Sequence, residues 1–165
     1  YTTAGLSLSA PSSPQALIVQ KFADLRGAAD IGEVKNAYGM KMASVQANND
    51  VSEWISNAIV TELTQIGYTV YKGVEESHPE YFVLSGTINR VYCEMYMTQR
   101  AEITVNIKLV REDKIILQRG YTGSAKILAV TASASSYARV FNEALQNLVQ
   151  QIIPDVVNAM NQYSS

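Results

Sequence analysis

The residue pattern predicts an α+β fold: a mixed, mainly antiparallel sheet of four to five strands with two helices packed on one face. Three observations carry this expectation. Two segments place apolar residues at three- and four-residue steps, as a helix with one buried stripe requires. Three consecutive segments alternate apolar with polar residues, as strands with one wet face do. With 165 residues, 47% of them hydrophobic, the chain is long enough to bury one core without disulfide staples.

Taken in order, residues 1–15 are rich in Ser, Thr and Ala with two prolines, show no hydrophobic period, and read as a flexible N-terminal tether. Residues 16–163 form a single domain. The chain opens on Tyr1 rather than Met, as a processed product or a trimmed sequence does. Residues 16–22, with Ile18 and Val19 at their centre, predict the first strand. Residues 23–49 are mixed in polarity and punctuated by Gly27, Gly32 and Gly39. They predict a turn near Asp24, then either a long ordered loop or a small hairpin through Tyr38 and Gly39.

Asp50 is placed to cap a helix, with Glu53 able to reach back as in a capping box, and Gly67 is placed to end it. Between them Val51, Trp54, Ile55, Ala58, Ile59 and Leu63 define one stripe. A short strand, 68–71, and a polar loop around Pro79 follow. The alternating segments 81–92, 101–111 and 115–126 predict an antiparallel meander with an outer face of Thr and Asn. Glu112-Asp113 predicts either a two-residue turn or, for want of a glycine, a slightly longer loop including Lys114. A second amphipathic helix is expected from about Ser133 to Ile153, with a kinked continuation after Pro154.

Chemistry is sparse. A net charge of −2 and a pI near 5.4 argue against nucleic acid as a partner. Cys93 is the only cysteine and lies in a strand pattern, which favours a small buried hydrophobe over a reactive thiol. His78 is the only histidine and sits in an acidic loop with Glu75, Glu76 and Glu80, at no spacing specific to zinc or calcium. No phosphate-cradling glycine motif is present. These observations lead to no catalytic, cofactor or metal residues. Asp24 and Arg26, two residues apart at a strand end, fit an ion pair that fixes a turn, or a small site. Tyr92, Met95, Tyr96 and Met97 form an aromatic and methionine cluster at a strand end, and Tyr38 stands in the long loop. All seven are candidate partner-binding residues.

The segment 50–70, which joins the capped helix, Gly67 and the aromatic strand, resembles the YajG-like family of bacterial lipoproteins. Leu84-Ser85-Gly86-Thr87-Ile88, the strand 101–109, Tyr121-Thr122-Gly123-Ser124 and the final helix follow in that family's order, and Asp24-Leu25-Arg26 with Ile31-Gly32 is similar to its N-terminal part. The resemblance implies export to the periplasm and anchoring to the outer membrane through a lipid on a cysteine. No cysteine lies in residues 1–15, so that cysteine is expected to precede Tyr1. The resemblance carries no reaction. The expectation is a non-catalytic envelope module that binds a protein partner or belongs to a larger assembly. The alternative is a periplasmic carrier of a lipid or other small apolar ligand.

Overall fold

The computed structural model describes residues 1–11, 15–27, 29–73, 79–128 and 131–164. The elements are β1 (Ala16–Val19), β2 (Ala23–Asp24), β3 (Asp30–Lys35), β4 (Lys41–Gln46), α1 (Val51–Gln65), β5 (Thr69–Lys72), β6 (Phe82–Tyr96), β7 (Thr98–Arg111), β8 (Lys114–Ile127) and α2 (Ala134–Ser164). The fold is α+β with a mixed sheet and two helices, as the pattern predicts. The sheet has eight strands rather than four to five. The additional strands come from 23–49, where the hairpin alternative is the one realised.

The long strand β6 organises the sheet. One edge pairs antiparallel with β7 along nearly its whole length. Three short strands run parallel to its other edge in succession: β1 (Val19 beside Leu84), β2 (Asp24 beside Ile88) and β3 (Val34 beside Met95). β5 extends the sheet beyond β1, and β4 extends it beyond β3. A bulge at Asn89 shifts the register from Ile88↔Val105 to Arg90↔Thr104. The buried set therefore switches from even positions (Phe82, Leu84, Ile88) to odd ones (Val91, Cys93). β7 needs no such switch and buries Ala101, Ile103, Val105, Ile107 and Leu109.

The β7–β8 connection is the tight two-residue turn, with Arg111 opposite Lys114. Glu112 and Asp113 both adopt positive φ, 48° and 61°. The Glu112 carboxylate accepts a hydrogen bond from the Tyr163 hydroxyl at 2.9 Å, which ties this turn to the end of α2.

Asp50 caps α1 by accepting from the amides of Ser52 and Glu53. Glu53 does not fold back to complete a capping box, because its carboxylate pairs with Lys72 on β5. Gly67, at φ 103°, ends the helix. Ser133 and Ser136 exchange side-chain and backbone hydrogen bonds across the first turn of α2. That helix then runs as one element through Pro154. It lies on β7 and β8 while α1 lies on β1 and β5, and the two helices touch. α2 lies close against the sheet at Gly123, where an added Cβ would stand 2.3 Å from the Ala144 carbonyl oxygen.

The opening residues lie against both helices. Tyr1 donates its hydroxyl, and Ala4 its amide, to the buried Glu62 carboxylate of α1. Gln146 of α2 donates to the carbonyls of Thr2 and Thr3, and Leu6 and Leu8 pack on the core. The Tyr1 side chain, backbone groups of residues 2–4 and the side chains of Leu6 and Leu8 together hold this segment.

Candidate docking surfaces

Two surfaces emerge from this architecture. The first arises because α1 starts only at Val51, so the helix-facing side of the β3–β4 pair has no helix directly over it. The result is an open groove of about 750 Å³. Ile31, Val45 and Val91 line it from the sheet, Trp54 from α1, and Tyr137 and Phe141 from α2. Trp54 and Phe141 meet edge to face, with ring centroids 6.4 Å apart. β4, exposed along most of its length, pairs only with β3, so one side of its backbone carries no strand partner among the described residues. The linker 47–49 continues along the groove.

The second surface is the end of the sheet where two hairpin tips meet. In the β3–β4 tip, Asn36 Oδ1 accepts from the amides of Tyr38 and Met40, and Gly39 takes φ 79°. The Tyr96 hydroxyl donates to the Ala37 carbonyl at 3.0 Å and so ties this tip to the β6–β7 tip. Met97, at φ 61°, forms that second tip. Tyr38, Met97 and Leu128 are 88%, 82% and 87% exposed, and Met40, Met42 and Tyr96 are exposed beside them. Leu128 belongs to the same end because Ile127 pairs with Gln99.

The structure thus brings Tyr38, Tyr96 and Met97 together out of the seven expected residues. Met95 turns inward beside Gln99 and the Tyr137 hydroxyl. Tyr92 lies on the outer sheet face. Burial pushes its hydroxyl up to about 12, as does the Glu33 carboxylate to which it bonds, and the Arg90 guanidinium sits 4.8 Å over its ring. Asp24 and Arg26 stand apart, near the middle of β6. Arg26 grips the Asp24 carboxylate with two donors at 2.8 and 2.6 Å, and its own amide donates to the same group. The side-chain bonds from Arg26 hold the Asp24 carboxyl below its ordinary range. This pair is a turn clamp.

Sequence reasoning missed Met40, Met42 and Leu128, although Met40-Lys41-Met42 alternates visibly. It also missed the groove, whose lining comes from five separate stretches of chain and leaves no local signal.

Cys93 is fully buried, and that burial pushes its thiol up to about 12. Among the described residues no His, Cys, Asp and Glu cluster could hold a metal ion. No described helix is long and apolar enough to cross a membrane. His78, Glu75 and Glu76 lie outside the described residues.

No protein-family model matches the chain, and no curated protein matches it in sequence. Solved structures do match. A Xanthomonas campestris protein of the DUF330 family aligns with a TM-score of 0.70 at 15% identity, over 94% of this chain and 93% of its own. A Helicobacter pylori protein described as a homolog of a neuraminyllactose-binding hemagglutinin gives 0.56 at 11% identity, over 97% and 94%. A minor lipoprotein from Acinetobacter baumannii gives 0.53 at 12% identity, over 88% and 94%. At these identities the likeness is one of fold, and it covers almost the whole chain.

Proposed function

We propose that this chain is a non-catalytic module of the bacterial cell envelope that docks an extended segment of a partner protein along β4, with side chains of that segment entering the adjoining groove. One observation carries the reading: a free strand edge borders an apolar groove walled by the starts of both helices. An added strand satisfies the open backbone groups, and its alternate side chains find apolar cover, which is the usual logic of strand addition. The fold shared with a minor lipoprotein and the resemblance of 50–70 to YajG-like lipoproteins support an envelope setting. In that setting the chain is anchored at the outer membrane, facing the periplasm, by a lipid on a cysteine preceding Tyr1.

The test is photo-crosslinking in cells from a benzophenone amino acid placed at Ala47, with Thr104 on the outer sheet face as the comparison site. Ala47 is expected to yield one adduct of defined mass that disappears with Val45→Arg. Equal adducts at both positions, or an adduct indifferent to Val45→Arg, would contradict the reading.

A second reading rests on the groove's size, which falls in the range of small-molecule sites of about 300–1,000 Å³. A carrier of a lipid or other small apolar ligand would show co-purifying mass in native mass spectrometry, and Val45→Arg would remove that mass.

A further inference from the structure

The apolar end lies outside the groove and has its own chemistry. We propose that the two hairpin tips form a membrane-contacting surface that rests on a bilayer of anionic headgroups.

The stretches 36–42, 95–100 and 126–128 at this end contain no Asp or Glu, whereas Lys41, Arg100 and Lys126 fall within them, Lys41 lying 4.0 Å from the Asp30 carboxylate. In a chain of net charge −2, that is a marked segregation. The nearest carboxylates behind the end are already engaged. Glu94 pairs with Lys35 at 2.6 Å, and Glu102 with Arg90 at 2.8 Å. Arg100 stands in register between Glu94 on β6 and Lys126 on β8, and neither cation closes an ion pair among the described residues. Like charges in register across a sheet are unfavourable, and Lys126, on the edge strand β8, faces no carboxylate across the sheet, so an anion from outside relieves it.

Geometry then ranks the two kinds of group. The exposed apolar residues Tyr38, Met40, Met97 and Leu128 occupy the extreme tip. Arg100 is three strand residues behind Met97, about 10 Å at the usual strand rise. Apolar groups of interfacial segments sink about 5–10 Å into a bilayer surface. Met97 and Tyr38 buried to that depth bring Arg100 and Lys126 level with lipid phosphates. Tyrosine is favoured at that boundary, and surface cations there gain from anionic lipid.

Sedimentation of the chain with vesicles tests the proposal. Vesicles of phosphatidylglycerol and phosphatidylethanolamine are expected to carry the protein down, phosphatidylcholine vesicles much less, and added salt to weaken binding. Arg100→Gln with Lys126→Gln should lower affinity roughly 20- to 30-fold, from about one cation's worth of attraction at each position. Tyr38→Ser with Met97→Asn should abolish sedimentation; all four side chains are at the surface, and Asn accepts the left-handed backbone at 97. Ile115→Ser, also exposed but at the opposite end of the sheet, should change nothing, and an unchanged melting temperature shows that each variant is folded. Failure to bind phosphatidylglycerol vesicles at low salt, or equal losses in the tip and Ile115 variants, would overturn the proposal. So would a tip that crosslinks to a protein in cells while ignoring vesicles. None of these outcomes touches the groove, whose test uses Ala47 and Val45.

Discussion

Single residues in this molecule act mainly as structural fasteners. The Asp50 carboxyl is held below its ordinary value first by its bond from Lys21 and then by the helix amides it caps, and Asp24 is held down by Arg26. A carboxyl with a depressed folded-state pKa stabilises above the unfolded value, near pH 4, and loses that contribution as pH falls through the folded value. Urea midpoints should therefore hold steady down to about pH 4 and decline below it. Asp50→Asn, which keeps a capping acceptor without a titrating group, should flatten that acid decline. Cys93 makes the complementary case. Its buried, raised thiol should resist iodoacetamide at about pH 8 in the native protein and react only on unfolding, with labelling followed by mass spectrometry. Rapid native labelling would place Cys93 outside the core. Its inert role was legible from Val91-Tyr92-Cys93 in a strand pattern. The Asp24–Arg26 clamp was legible only as an open choice, because two residues of spacing suit a turn and a site equally.

At the scale of elements, the sequence is informative wherever the deciding interactions are local. Asp50, Gly67 and the stripe between them delimit α1, and β7 keeps one unbroken alternation, so both were predictable. β6 was readable only as far as Ile88, since the extra residue Asn89 reverses which positions are buried. The parallel docking of β1, β2 and β3 on three stretches of one strand depends on distant partners and leaves no local period. Two elements lend themselves to direct test. The β7–β8 turn holds Asp113 at φ 61°, a cost that glycine does not bear. Asp113→Gly should stabilise by about 0.5–1 kcal/mol, seen as a higher melting temperature, and it leaves the Glu112–Tyr163 bond in place. Where α2 meets β8, Gly123→Ala should cost about 1–3 kcal/mol in a denaturant titration, because backbone atoms of the helix occupy the space of the new methyl. A neutral result there would mean that α2 lies farther from the sheet.

For the whole molecule, the forked sheet sets what is covered and what is open. One branch, β1 with β5, lies beneath α1, and the other, β3 with β4, extends past the start of that helix. The groove and free edge follow from this branching, and the apolar end follows from two hairpins stopping at the same level. Tyr96 and Met97 were visible as a cluster because they are neighbours in sequence; their union with Tyr38 required the fold. The most direct measurement is hydrogen exchange by mass spectrometry on the chain in its native membranes and after purification. Docking along the β4 edge predicts that amides of β4 and of 47–49 are protected in membranes and exchange faster once purified, while the edge strand β8 exchanges equally in both. Equal exchange of β4 in the two states, or protection confined to β8, would contradict it.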